Sequence, residues 1–140
     1  MLLIDINVWI ALTFDTHIHH PPAKIWFDGL TDEMCYFCRM TQQGFLRLST
    51  NRKMHGINTL TLDEAWEKYD RFMSDSMVSF AAEPLGLEPY WRSFTQGQTF
   101  STHVWNDAYL AAFAVVGGYG IITFDQAFTQ FPGLSSTILA

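Results

Sequence analysis

The sequence predicts an α/β protein in which a parallel sheet of about five strands carries helices on both faces. Short apolar runs alternate along the chain with longer stretches whose apolar residues recur at helical spacing. This alternation favours a parallel sheet, because parallel strands need a crossover connection that is usually a helix. At 140 residues, 49% of them hydrophobic, the chain is expected to form a single domain over residues 1–140.

Five apolar runs have the length and composition of buried strands. The first, LLIDI, leads directly into a helical stretch that extends to about Thr13. The second, MCYFC, contains Cys35 and Cys38, which would point to opposite faces of the sheet. We interpret them as structural thiols, because no second cysteine pair completes a zinc site. The predicted strands are residues 2–6, 34–38, 77–80, 120–124 and, as a candidate, 137–139.

Start and stop signals define the helices. Two prolines stand near the start of the helix that follows THIHH, and Thr61 and Glu64 have the spacing of a capping box. Ser101 or Thr102 would cap the helix that contains WNDAYLAAFAVV, and the following glycines would end it. Residues 51–58 are expected to form a polar loop, and EPLGLEPYWRSF a proline-broken loop with a possible short helix. The helix with the capping box is predicted to span residues 62–73, and the helix that contains WNDAYLAAFAVV residues 104–116. A further helix is predicted at residues 39–49.

Composition limits the classes of function. The formal net charge of −6 argues against a general nucleic-acid binder, whose footprint would be basic. It does not exclude a nuclease, because metal ions bridge acidic sites to phosphates. The charged fraction of 16% is low, which is compatible with apolar surface covered in an oligomer or by a partner. Neither a signal peptide nor a membrane-spanning run is evident, so a cytoplasmic protein without membrane association is expected.

Three aspartates occupy positions where packing gains nothing from a carboxylate. Asp5 and Asp125 end apolar runs, and Asp107 lies near the start of a helix. With no basic neighbour in sequence, such carboxylates would repel one another unless a cation such as Mg²⁺ or Mn²⁺ lies between them. Two of the aspartates have an alternative role: Asp125 can cap a helix that begins at Gln126, and Asp107 can complement a helix dipole. Nearby Asn7 can likewise cap the first helix. Taken together, the three aspartates favour a metal-binding site over these separate structural roles.

A group of basic residues and a group of histidines can each be interpreted as functional or as structural. Arg47, Arg52 and Lys53 are either a solvated face or RNA phosphate contacts. The histidines of THIHH lack the spacing of a metal site, and we interpret them as surface or helix-entry residues.

Four segments resemble successive motifs of PIN domains: LLIDINVWIAL, TQQGFLRLS, WNDAYLAAFA and GIITFDQAF. Within that family the chain resembles VapC-type toxins of bacterial toxin–antitoxin systems, from Leu2 to about Phe131. The resemblance implies a compact α/β/α sandwich and a Mg²⁺-dependent endoribonuclease. It carries the family's metal ligands onto Asp5, Asp107 and Asp125.

The resemblance also assigns supporting residues. Asn7 and Thr123 match polar positions beside the first and last aspartates, and Arg47 matches a basic position after the second motif. Many PIN domains have a glutamate in that second motif. Here Gln42, or alternatively Gln43, replaces it, which lowers the negative charge of the site.

The resemblance further implies an RNA substrate, a cognate antitoxin protein as partner, and a homodimer. The replaced glutamate keeps an alternative open, namely a catalytically degenerate PIN-like module that binds RNA or a protein. A phosphatase of another doubly wound type is disfavoured, because Asp5-Ile6-Asn7 lacks the second aspartate of a D-x-D signature.

Overall fold

Five short strands form one parallel sheet in the computed structural model, which describes residues 1–97 and 100–140. The strand order is β3-β2-β1-β4-β5, and every described pairing is parallel. The predicted sheet is therefore confirmed, including the candidate last strand. The strands are β1 (Leu2–Ile4), β2 (Cys35–Phe37), β3 (Val78–Phe80), β4 (Gly120–Thr123) and β5 (Ser136–Ile138).

Helices connect the strands and cover the sheet. Two 3₁₀ segments, Gly56–Asn58 and Gln126–Gln130, accompany the α-helices. In the described part of the chain, none of the helices is long and apolar enough to cross a membrane. The α-helices are α1 (Ile6–Thr13), α2 (His20–Asp28), α3 (Arg39–Ser49), α4 (Arg52–His55), α5 (Leu62–Met73), α6 (Leu87–Thr95) and α7 (Val104–Gly117).

Two hydrophobic cores lie on opposite faces of the sheet. Leu3 packs in the core that contains residues of α6 and α7, whereas Ile4 packs in the core that contains residues of α1, α3 and α5. Adjacent strand residues alternate in this way because successive side chains of a strand point to opposite faces. Cys35 and Cys38 likewise fall in different cores as free, buried thiols, as predicted.

The strand order reverses between β1 and β4. From β1 the chain proceeds outward through β2 and β3, and then returns to place β4 on the other side of β1. Ile4 pairs with Ile122, so the two strands end at the same level. In open α/β sheets, ligands bind at the carboxyl ends of the strands on either side of such a reversal.

Local capping follows the sequence in two places. Thr61 Oγ1 accepts a hydrogen bond from the Glu64 amide at 3.1 Å, and Glu64 Oε1 accepts one from the Thr61 amide at 2.9 Å. The predicted capping box of α5 is therefore confirmed. Gly118 ends α7 at φ 77°, in the left-handed region that glycine adopts without a steric penalty.

Two predictions of local structure were wrong, and the possible short helix in the proline-broken segment was confirmed. The segment predicted as a loop at residues 51–58 contains α4, which Asn51 caps by accepting a hydrogen bond from the Lys53 amide. The proline-broken segment contains the nine-residue α6, because Gly86, at φ 86°, turns the chain and Pro89 falls within the first turn, where a missing amide is tolerated. The N-cap of α7 is His103, which makes no side-chain capping bond, and not Ser101 or Thr102.

Candidate active site

The reversal of the sheet brings Asp5 and Asp125 to one edge. Asp5 follows β1 and is the N-cap of α1, and its amide donates to the Ile122 carbonyl of β4 at 3.0 Å. Asp125 follows β4 and caps the 3₁₀ segment through a hydrogen bond from the Ala127 amide to its Oδ1 at 2.9 Å. The carboxylates therefore stand side by side because their strands are paired. The cap of α1 is Asp5, and not Asn7 as the alternative interpretation had it.

The hydroxyl of Thr123 connects three polar groups at this edge. It donates to Asp5 Oδ2 at 2.6 Å, and it accepts from the Asp125 amide at 3.0 Å and from Asn7 Nδ2 at 3.3 Å. A hydroxyl has one proton and two acceptor sites, so these three bonds use its full capacity. Because Thr123 is 0% exposed, its hydroxyl is protected from water, and its bond to Oδ2 orients the Asp5 carboxylate.

Asn7 joins the first turn of α1 to the end of β4. Its Oδ1 accepts from the Phe124 amide at 3.3 Å, while its Nδ2 donates to Thr123. Both ends of the amide are therefore used in holding the two chain segments together. The structure gives Asn7 a positioning role at the aspartate edge.

Opposing effects act on the pKa of the Asp5 carboxyl group. Burial raises the pKa of its carboxyl group, and the negative charge of Asp125 adds to this rise. Hydrogen bonds from Thr123 and from the Ile6 amide, the latter at 2.7 Å to Oδ1, act in the opposite direction. These bonds leave lone pairs on both oxygens, since each carboxylate oxygen has two acceptor sites.

Asp107 lies in the first turn of α7 and is half-buried. Burial, together with the negative charges of Asp5 and Asp125, raises its pKa to about 6, and His103 opposes this rise. The charges of Asp5 and Asp125 act on the Asp107 pKa, so the aspartate of α7 lies near enough to this edge to interact with them electrostatically. Near neutral pH, Asp107 is ionised in an environment that disfavours its charge.

We expect Asp107→Asn to stabilise the metal-free protein at pH 7.5, with a rise in Tm of about 3 °C. The folded-state pKa of about 6 lies above the ordinary 3.8, so the folded chain binds this proton more tightly than the unfolded chain does. The stabilisation that this proton provides is complete below about pH 4 and is lost as the pH rises to about 6. Partial exposure moderates the effect.

The measurement is thermal unfolding of both proteins at pH 4 and pH 7.5 in the presence of EDTA. The gain in Tm should vanish at pH 4, where the wild-type carboxyl is protonated. Asp32→Asn, on an exposed aspartate, is the control and should change little at either pH. A destabilised Asp107→Asn at pH 7.5 would show that its carboxylate is stabilised by a contact other than a cation.

The donor set fits a hard divalent cation. Carboxylate oxygens that repel one another are the ligands Mg²⁺ and Mn²⁺ prefer, and a bound cation would offset the repulsion that raises the Asp107 pKa. Within residues 1–97 and 100–140, no group of three or more His, Cys, Asp or Glu side chains lies in an arrangement that could hold a metal ion. A cation at this edge would need the carboxylates to move closer together, or water molecules to supply the remaining ligands, as is usual for Mg²⁺.

The two glutamines of α3 have different surroundings. Gln42 is 7% exposed, and its Oε1 accepts a hydrogen bond from Arg39 Nη1. Gln43 is exposed and lines a cavity of about 480 Å³ together with Tyr109 of α7. No hydrogen bond in the described part of the chain joins either amide to the aspartates. Both remain candidates for the position that is glutamate in many PIN domains.

The three predicted RNA-contacting cations lie on the surface. Arg47 is in the last turn of α3, and Arg52 and Lys53 begin α4. All three are exposed, and none takes part in an ion pair of the described chain. Their charges are therefore available to an external anion.

One contact at the site has no signal in the sequence. The ring of His19 stacks on Phe124, with 4.4 Å between centroids. Because Phe124 directly precedes Asp125, the histidine segment before α2 lies beside the aspartate edge. Residues so far apart in the chain could not be paired from their spacing.

The family follows from sequence similarity together with this site. A family model described as PIN domain matches residues 2–134. The chain therefore belongs to the PIN domain family, and its aspartates occupy the acidic edge described above.

Similar proteins agree with this membership. Ribonuclease VapC41 of Mycobacterium tuberculosis (strain ATCC 25618 / H37Rv) is 46% identical over 145 aligned residues, which cover 100% of this chain and 99% of that protein. Among solved structures, VapC20 of Mycobacterium tuberculosis, a Sarcin-Ricin loop cleaving toxin, has a TM-score of 0.67 at 16% identity, covering 96% of this chain and 99% of that one. A toxin–antitoxin complex from Klebsiella pneumoniae has a TM-score of 0.62 at 15% identity, covering 96% and 95%. The two structures share the fold.

Proposed function

We propose that the chain is a metal-dependent endoribonuclease, the toxin of a type II toxin–antitoxin system. The observation that carries the proposal is the electrostatically coupled group of Asp5, Asp107 and Asp125 at the reversal of the sheet, in a member of the PIN domain family. The full-length similarity to Ribonuclease VapC41 supports RNA as the substrate. Such a toxin acts on RNA in the cytoplasm.

The aspartates have different parts in this proposal. Asp5, oriented by Thr123, and Asp107 are the fixed ligands for a divalent cation, Mg²⁺ or Mn²⁺. Asp125, which is exposed, would hold a water molecule bound to that cation. A divalent cation held by these residues would supply positive charge for the phosphate oxygens and would lower the pKa of a water molecule for attack on phosphorus.

The other residues position these groups. Asn7 and Thr123 hold the ends of β1 and β4 in register, so the carboxylates keep their spacing as charge develops on the phosphate. Gln42 or Gln43 replaces a charged ligand by a neutral amide, so a second cation would bind more weakly than the first.

RNA cleavage by purified, partner-free protein tests the proposal. Total cellular RNA incubated with Mg²⁺ or Mn²⁺ should give discrete fragments, and EDTA should abolish them. If folded, metal-saturated protein binds RNA without cutting it, the chain is the degenerate binding module and the ribonuclease proposal fails.

We further propose that Arg52 and Lys53 contact the RNA backbone, with Arg47 as a third phosphate contact. The double charge reversal Arg52→Glu/Lys53→Glu should weaken binding of single-stranded RNA and reduce the slope of log affinity against log salt by about 1.4, since each phosphate contact contributes about 0.7. Binding should be measured by fluorescence anisotropy at several salt concentrations.

The matched control is Lys68→Glu/Arg71→Glu, which makes the same change in net charge on α5. It should change the salt slope much less. Equal losses in the two double variants would show that only the net charge matters, and would reject a local contact at α4.

The proposed partners are a cognate antitoxin and a second copy of the chain. The structural similarity to a toxin–antitoxin complex supports the first. Exposed aromatic side chains such as Trp66 and Trp105 provide apolar surface that such partners could cover.

A further inference from the structure

A cavity of about 350 Å³ lies between the histidine segment before α2 and helix α4. Its lining includes apolar side chains from both segments, of which Ile18 is 83% exposed and Met54 is 50% exposed. Its volume is in the range of ligand-binding cavities, about 300–1,000 Å³. A space of this size can admit one flat ring system.

The cavity has an aromatic wall. The rings of Phe14 and His55 are stacked, with centroids 3.8 Å apart and an angle of 9° between planes. Both residues line the cavity. Because Phe14 is 6% exposed and its ring is covered by His55, the partly exposed His55 ring is the aromatic surface on which a nucleobase could stack.

The hydrogen bonds of the two lining histidines determine which ring nitrogen carries the proton. His17 Nδ1 accepts from the His19 amide at 3.0 Å, so neutral His17 has its proton on Nε2, which is a donor. His55 Nε2 contacts the Leu48 carbonyl at 3.0 Å and must donate to it, so Nδ1 of the neutral His55 ring is an acceptor.

Asn58 adds a second acceptor. Its Nδ2 donates to Thr16 Oγ1 at 3.4 Å. No hydrogen bond in the described part of the chain occupies its Oδ1. The lining therefore offers two acceptors, from His55 and Asn58, and donors that include His17 Nε2 and the Thr16 hydroxyl, which only accepts in its described hydrogen bond.

This set complements guanine better than the other bases. The Watson–Crick edge of guanine has one acceptor, O6, and two donor groups, N1–H and the 2-amino group. Adenine and cytosine have a single donor group on that edge, and uracil has one donor between two acceptors. Unpaired bases in RNA are read through these edges while they stack on aromatic side chains.

The position of the cavity connects it to the aspartate edge. The rings of His17 and His19 are 5.7 Å apart, and His19 stacks on Phe124, the residue before Asp125. On the other side, exposed Arg52 belongs to the same helix as His55 and is available to a neighbouring phosphate.

We propose that this cavity binds one unpaired guanine of the RNA substrate, close to the cleaved phosphodiester, and so sets where the chain is cut. The inference rests on the proposed function for its substrate, but base binding can be measured without cleavage. The test is therefore NMR of the histidine rings in the metal-free, partner-free protein, titrated separately with GMP, AMP, CMP, UMP and inorganic phosphate.

GMP should shift the ring signals of His17 and His55 with a Kd at least about fivefold lower than that of the other nucleotides. Asn58→Ala should weaken GMP binding about fivefold or more. Gln96→Ala, an exposed amide at the end of α6, should leave it unchanged. Absence of shifts with every nucleotide, equal affinity for all four, or the same shifts with phosphate alone would each overturn the proposal.

RNA cleavage gives a second test that separates the two proposals. The wild type should cut single-stranded RNA that contains one guanine at a fixed distance from that guanine. The Asn58→Ala variant should cut the same RNA at positions that no longer depend on the guanine. Cleavage that ignores the guanine overturns the cavity assignment and leaves the ribonuclease intact. If the protein binds GMP selectively but cuts no RNA, the guanine-binding proposal is supported and the ribonuclease proposal is rejected.

Discussion

Replacing Asp5 by Asn is expected to lower metal-dependent RNA cleavage by about 100-fold or more, comparable to removing a group that stabilises transition-state charge. Asn cannot supply the negative charge that a divalent cation needs, although it is almost the same size. Its side-chain oxygen can still accept from the Ile6 amide and cap α1, so the fold should persist. The measurement is the initial rate of cleavage of a defined RNA in saturating Mn²⁺.

Asp32→Asn provides the control, because it removes the same charge from an exposed position. It should retain the wild-type rate, and circular dichroism should show both variants folded. If Asp5→Asn cleaves RNA within a few-fold of the wild-type rate, Asp5 is only a helix cap and the metal site lies elsewhere.

Thr123→Val should have the second largest effect, because it removes the hydroxyl from a fully buried position with little change in shape. Asp5 would lose a donor, and the Asp125 amide and Asn7 Nδ2 would lose their acceptor. Leaving buried polar groups unpaired costs about 1–3 kcal/mol each. We expect a fall of about 2 kcal/mol in the free energy of unfolding.

Activity should fall with stability, by about tenfold, because Asp5 is no longer oriented. The loss should also raise the Asp5 pKa, since the Thr123 hydrogen bond opposes the effect of burial. The apparent pKa on the acid side of the rate profile should therefore move upward. Denaturant unfolding and the pH dependence of kcat/KM measure the two effects.

Thr123→Ser is the matched control, because it keeps the hydroxyl and removes only a methyl group. It should preserve the rate profile and most of the activity. If Ser and Val variants lose activity equally, packing at β4, and not the hydrogen-bond network, explains the role of Thr123.

The sheet and the acidic edge could be predicted because both depend on local pattern. Short apolar runs such as Leu2–Ile4 mark buried strands, and a carboxylate after such a run must leave the core at the strand's end. Parallel strands share that edge, so the gathering of Asp5 and Asp125 follows from strand order. Asp107 was singled out with them from the sequence, but it lies on a helix and not after a strand, so strand order does not place it at this edge.

Other features depend on contacts that no local pattern contains. The bond from Thr123 to Asp5 joins residues 118 apart in sequence. The Asp107 pKa depends mainly on burial by distant elements. Helix α6 was not predicted with its full length because Gly and Pro usually indicate loops, whereas here Gly86 permits the turn that precedes the helix.

Binding of Mn²⁺ tests the central claim most directly, because the claim is that the aspartate edge is a cation site. Free Mn²⁺ can be followed by electron paramagnetic resonance while wild type, Asp107→Asn and Asp32→Asn are titrated at pH 7.5. We expect wild type and Asp32→Asn to bind Mn²⁺ equally, and Asp107→Asn to bind at least about tenfold more weakly, since a coordinating charge is lost. Equal affinity of Asp107→Asn and the wild type would contradict the assignment of these aspartates as the metal-dependent active site.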